Sequence, residues 1–286
     1  MMLILFEVFT FLNSSLARKA RRVNSNFNSK NHWSNYSQNP DSEDVVRRRE
    51  EIVRSSFRNS IPTYELVIKK FLSGKTVLDF GAANHGQGTQ NIASLSTHDL
   101  VVRAAKRVYA FDIERISDHS LNKATCKHFK FDLINSKVLT KFLYGKFQVF
   151  FSGHTLEHLS APGSLFSLAF RILRSGDRLI IVTPNPLWIV GLVSRNLGGN
   201  TSVNADHTSL FGASELIELG ERNNFRIVKW MYAGIDDMSP AIDGQMLAKL
   251  GYSLNSQKEI QKFYTRARID NFALAHNSIV AIFERR

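Results

Sequence analysis

From residue 76 onward the chain alternates short apolar runs with stretches whose apolar residues recur at helical spacing, and this alternation restricts the fold more than any other feature. "TVLDF" (76–80), "RVYAFDI" (107–113), "HFKFDL" (128–133), "FQVFFSG" (147–153) and "RLIIVTPN" (178–185) read as buried strands. Between them, "SKVLTKFLYG" and "SLFSLAFRILRSG" place apolar residues on one helical face. Strands separated by helices build βαβ units, hence an α/β, doubly wound, mostly parallel sheet with helices on both faces. "FRIVKWMYAG" (225–234) and "NSIVAIFERR" (277–286) supply two later strands, which makes seven.

The region before the first strand is built differently. "MMLILFEVFTFL" is apolar but interrupted by Glu7 and too short to span a bilayer. Its basic residues, Arg18, Lys19, Arg21 and Arg22, follow the apolar run, whereas a secretory signal carries them in front. That order admits peripheral contact of residues 1–22 with an anionic membrane surface, or a helix packed on its own domain. Residues 24–42 are rich in Asn and Ser and read as a linker, so the division falls at 1–42 and 43–286. Helices are expected from Asp44 to about Asn59 and from Thr63 to Leu72, the latter stopped by Gly74.

Cys126 is the single cysteine of 286 residues, so no intrachain disulfide forms and a reducing, cytoplasmic setting is favoured. The net charge of +12 is dispersed and lacks an aromatic–basic binding motif, which argues for no nucleic-acid partner.

Three acids stand at successive strand ends. Asp79 opens "DFGAANHGQG", where Gly81 lets backbone approach a nucleotide-like ligand and Gly86 and Gly88 loosen the turn; a plain strand-to-helix turn is the alternative. Asp112 ends the second strand, where a carboxylate can accept both hydroxyls of a ribose. Asp132 ends the third.

A different motif competes for attention. His154-Thr-Leu-Glu157-His158 reads H-x-x-E-H, a zinc-peptidase pattern. That chemistry needs an uninterrupted helix to put both histidines on the metal. Here a strand ends near Gly153 and Pro162 follows His158 by four residues, so the peptidase reading fails. A divalent metal on His154, Glu157 and His158 stays compatible with the spacing, although no metal is assigned.

Together these segments resemble the class I S-adenosylmethionine-dependent methyltransferases, notably the branch with ubiquinone-biosynthesis O-methyltransferases, over residues 65–230 and the last strand. The carrying segments are "VLDFGAANHG", "VYAFDI", "FKFDL", "FQVFFSGHTLEHLSAP", "ILRSGDRLIIVTPNP" and "DHTSLFGASELIELGERNNFRIV". The resemblance implies a Rossmann-like fold whose late strand inserts antiparallel beside the fifth. It implies that Asp79, Gly81 and Ala83 flank the donor's methionine moiety, Asp112 binds its ribose and Asp132 approaches its adenine. Ala83 and His85 stand where the family's first motif has glycines, and Gln148 where it commonly has an acid.

His154, His158 and His207 then surround the methyl group, as general base or as groups orienting the acceptor. For His158 and His207, loop orientation and helix capping are open alternatives. Residues 186–206 and 235–268 are expected to cap the acceptor pocket, with Trp188 and Phe211 lining it or buried beneath. The expected reaction is methyl transfer to oxygen of a small-molecule, glycan or lipid-linked acceptor. A non-catalytic binding or scaffold homologue is the alternative.

Overall fold

A computed structural model describes residues 60–61, 63–83, 96–114, 126–130, 132–135, 137–188, 207–235 and 276–286, with isolated positions at 43–47 and 253–262. The expected contact of residues 1–22, the 44–59 helix apart from Val46 and Arg47, which are helical, and most of both capping segments lie outside the described residues. The chain divides into Met1–Val45 and Val46–Arg286; every element below belongs to the second unit.

The strands are β1 (Ser60–Ile61), β2 (Thr76–Phe80), β3 (Arg107–Asp112), β4 (Cys126–Lys130), β5 (Val149–Gly153), β6 (Arg178–Pro184), β7 (Phe225–Ile235) and β8 (His276–Arg285). The helices are α1 (Tyr64–Leu72), α2 (Thr97–Ala104), α3 (Lys137–Leu143), α4 (Gly163–Ile172) and α5 (Ala213–Arg222). The strands form one sheet in the order β1-β7-β8-β6-β5-β2-β3-β4. All neighbours are parallel except β8, which runs antiparallel to both β6 and β7. The seven expected strands are present, and the two-residue β1 extends the sheet at the β7 edge.

Each face of the sheet carries its own core, as the alternation of side chains in a strand requires. On one face Val77, Val108, Val149, Phe151, Val280 and Ile282 pack on α1 and α2 through Val67, Ile68, Leu72, Val101 and Val102. On the other, Leu78, Phe150, Leu179, Ile181, Ala281 and Phe283 meet Leu143, Phe166, Leu168, Ala169 and Leu216 of α3, α4 and α5. Full burial of one such Leu or Phe stabilises by about 1.5–3 kcal/mol, and strands covered on both sides read as the unbroken apolar runs seen in the sequence.

Local signals set the boundaries. Thr63 caps α1, its Oγ1 accepting the Leu66 N–H at 3.3 Å, and Gly74 turns the chain with φ 71°. Gln148 Oε1 accepts the Thr76 N–H at 3.1 Å, joining the starts of β5 and β2. The third strand departs from expectation: β4 covers 126–130, not 128–133. Lys130 pairs with Asp112, the last residue of β3, so the ladder stops where its partner stops and Asp132 falls in the following turn. Among the described residues no helix is long and apolar enough to cross a membrane.

Candidate functional site

The strand order reverses between β2 and β5: β3 and β4 lie on one side, β6 and its neighbours on the other. In an open α/β sheet the carboxyl ends at such a reversal part the connecting loops and leave a crevice for ligands. Gly81 leaves β2 here with φ 76°, and a Cβ at this position would collide with the Thr155 side chain beyond β5. Thr155 Oγ1 lies 3.3 Å from the Phe80 carbonyl and 3.2 Å from that of Gly153, so the two loops are knitted together. Glycine is required by both torsion and space.

The predicted binding acids are not equivalent. Asp112 is buried, its Oδ2 accepting the Ala83 N–H at 2.8 Å and its Oδ1 the Glu114 N–H at 2.9 Å. This bond ties the turn after β2 to the end of β3 and brings Asp112 and Ala83 together. A carboxylate offers about four lone-pair sites, so both oxygens retain acceptor capacity for diol hydroxyls. Asp132 is exposed and caps its own turn, accepting the Asn135 N–H at 3.4 Å and the Asn135 side-chain amide.

Asp79 is buried, but its Oδ2 lies 2.6 Å from Nδ1 of buried His98, away from bulk water. That oxygen is committed to the pair, and Asp79 stands two residues before Gly81, where the turn begins. Burial alone would lower the His98 pKa; the bond to Asp79, with Cys126 and the Asp79 charge adding to it, pushes it up to about 10.

The three predicted histidines gather at the carboxyl end of β5. His154 takes a left-handed φ of 53°, donates its N–H to the Val182 carbonyl at 2.8 Å, and lies with Nδ1 3.3 Å from Glu157 Oε1. Such a backbone in a residue with a side chain is strained by about 1–3 kcal/mol. Glu157 is fully buried on a one-turn 3-10 helix, Leu156–His158, and also accepts from the Thr183 hydroxyl at 3.0 Å. Burial alone would raise its pKa; His154, a backbone N–H and Thr183 together hold it below its ordinary 4.5.

Thr208 brings the third histidine in. Its N–H and Oγ1 reach the Glu157 carbonyl at 2.8 and 3.0 Å, and Oγ1 also donates to the Leu159 carbonyl at 3.0 Å. His207 thereby meets His158 edge to face, ring centroids 4.6 Å apart. Ligand atoms of Glu157, His158 and His207 fall within 4.8 Å of one another, so the set gathered here includes His207, while His154 turns to the Glu157 carboxylate. The peptidase arrangement is absent from this segment: α4 begins only at Gly163, after the 3-10 turn. Phe211 is buried in the core beside α5 and Trp188 is half-buried.

Sequence reasoning missed His98, Cys126, His128, Thr155, Thr183 and Thr208. For His98 a signal existed: the Ser96–Asp99 capping box, with bonds of 3.1 Å in both directions, marks the start of α2. For the two β4 residues the alternation in "CKHFK" puts Cys126 and His128 on one face.

The family model described as methyltransferase domain matches residues 53–229. No curated protein matches the chain. Among solved structures, a SAM-dependent methyltransferase from Archaeoglobus fulgidus is 15% identical, with a TM-score of 0.47, over 89% of this chain and 100% of that one. The 1,6-didemethyltoxoflavin-N1-methyltransferase of Burkholderia thailandensis, solved with 1,6-didemethyltoxoflavin and S-adenosylhomocysteine bound, is 14% identical, with a TM-score of 0.45, over 88% and 84%.

Proposed function

The chain belongs to the methyltransferase-domain family; we propose that it is an S-adenosylmethionine-dependent enzyme whose acceptor is a hydroxyl of a small molecule, glycan or lipid-linked compound, as in the O-methyltransferase branch. The observation that carries this reading is the meeting of His158 and His207 at the end of β5, beside the crevice where Gly81 and Thr155 join. When bound, the donor supplies an electrophilic methyl group on a cationic sulfur. The chain's own task is to hold, orient and deprotonate.

Asp112 holds the donor's ribose, the turn from Asp79 through Gly81 to Ala83 flanks its methionine portion, and Asp132 lies toward its adenine. One of His158 and His207 takes the acceptor proton while the other orients the hydroxyl. His154 fixes Glu157, and Glu157 fixes the loop that carries His158; these two are positioning residues. Alignment of a bound nucleophile and removal of its proton supply the catalysis this reaction needs.

Donor binding tests the first part. A charge-assisted bond from Asp112 contributes about 1.5–3 kcal/mol, so Asp112→Ala should weaken S-adenosylhomocysteine binding by roughly 10- to 150-fold in calorimetry. No binding by the intact chain would refute the enzymatic reading; unchanged affinity in the variant would refute the role of Asp112 alone. An acceptor screen with methyl-labelled donor, including RNA as a competing class, tests the rest. We further propose that residues 1–22, an apolar run followed by Arg18, Lys19, Arg21 and Arg22, make peripheral contact with an anionic membrane surface; liposome sedimentation unaffected by their deletion would exclude it.

A further inference from the structure

We propose that His98, Cys126 and His128 form a transition-metal site, with zinc as the fitting ion and Asp79 as the group that aims His98. These residues lie on β2, α2 and β4, away from the histidines assigned to the acceptor, and share with the donor crevice only Asp79.

The geometry begins with register. Asp79, Ala110 and His128 are aligned across β2, β3 and β4, and Cys126 lies two residues before His128 on the same face. The central residue of that row is an alanine, which leaves room above β3 for the imidazole of His98 descending from α2. The capping box at Ser96 and Asp99 fixes the first turn of α2 and therefore where His98 enters. Its Nδ1 is taken by Asp79 at 2.6 Å, which points Nε2 toward β4.

There Nε2 lies 3.1 Å from His128 Nε2 and 3.9 Å from Cys126 Sγ, and the three ligand atoms lie within 4.8 Å of one another. Zinc takes nitrogen at about 2.0–2.1 Å and sulfur at about 2.3 Å, so tetrahedral corners lie roughly 3.3–3.6 Å apart. Small side-chain rotations bridge the difference. A carboxylate on the far nitrogen of a ligating histidine is the arrangement that fixes its tautomer and strengthens it as a ligand.

Charge points the same way. Asp79, His98 and Cys126 are buried while His128 is half-buried on the edge strand, which gives an ion a way in. Two neutral imidazoles, one thiolate, one carboxylate and a divalent ion sum to zero, as a buried cluster requires. On binding, the ion replaces the His98 Nε2 proton and the Cys126 thiol proton, and both leave to solvent. Three protein ligands leave one corner for water. The ion would fasten α2 to edge strand β4 and, through Asp79, to the turn that begins at Gly81.

The test is a Co2+ titration of metal-stripped full-length protein, followed by displacement with Zn2+. One Co2+ per chain with a thiolate-to-metal charge-transfer band is expected, and with a single cysteine that band can come only from Cys126. Cys126→Ser should abolish it, and His128→Gln, at the less buried ligand, should weaken binding if the serine variant does not fold. Asp79→Asn should weaken binding by roughly 10- to 100-fold. His207→Ala should leave the band unchanged. Co2+ bound without a thiolate band, which would place it at the sulfur-free Glu157–His158–His207 group, would overturn the proposal. So would the lack of stoichiometric binding.

Discussion

Two buried carboxylates in this molecule each face a histidine, and the pairs differ in which partner meets water. In the Asp79–His98 pair both side chains are buried, and the contact is short at 2.6 Å. In the Glu157–His154 pair only the carboxylate is buried; His154 is 36% exposed and the contact is 3.3 Å. The first pair lies between α2 and the sheet, the second at the open end of β5 beside two further histidines. A dry pair keeps its charges in place and is suited to structure or to holding an ion. A pair with one wet member can organise a loop while its neighbours meet an acceptor.

The largest expected effect sharpens this contrast on the catalytic side. Alanine at whichever of His158 and His207 is the base should lower turnover by roughly 10²- to 10⁴-fold with donor affinity unchanged. Alanine at the orienting histidine should cost about tenfold. Single-turnover rates beside calorimetric donor affinity separate the two roles, and near-normal turnover in both variants would show that alignment alone suffices.

The next effect tests the dry pair. Asp79→Ala removes the group that holds the proton on buried His98 and leaves that imidazole without its hydrogen-bond partner, and should destabilise the metal-free protein by about 1–3 kcal/mol in urea unfolding. Replacing both residues together, Asp79→Ala with His98→Leu, should recover most of that loss. If the single variant is as stable as the parent, the two pairs do not differ in the way proposed.

How much of this was legible in the sequence follows from the same contrast. The strands were readable because burial on both faces leaves continuous apolar runs such as "RLIIVTPN". Asp112 and the histidines after β5 were readable because strand ends bring them to one edge whatever the details of packing. The partner of Asp79 was not, because His98 reaches it only through the placement of α2 above Ala110, a tertiary fact. The β4 boundary was misjudged for a related reason: "HFKFDL" carries its apolar pattern past the point where β3 can pair with it. The meeting of His207 with His158 depends on Thr208 bonds to two carbonyls, which no periodicity announces.

The smallest effect concerns the half-wet pair and has a sign. Glu157 is held below its ordinary 4.5, so the stability it contributes is present above that value and is lost as pH falls through the folded-state value. Glu157→Gln should therefore cost about 1 kcal/mol near neutral pH, and the gap to the parent should close in acid. A gap that stays constant from neutral pH to acid would mean that Glu157 acts by shape alone.

The placement of β8 has a consequence for how the chain is made. β8 follows the other seven described strands in sequence, yet it lies between β6 and β7 and pairs with both. Before residues 276–285 leave the ribosome, those two strands have no partner for their facing edges, and the β1–β7 portion has no hydrogen-bonded link to the rest of the sheet. Sheet closure therefore follows synthesis of β8 rather than advancing with the nascent chain, and a ribosome paused before that point presents two unpaired strand edges to chaperones or to neighbouring copies.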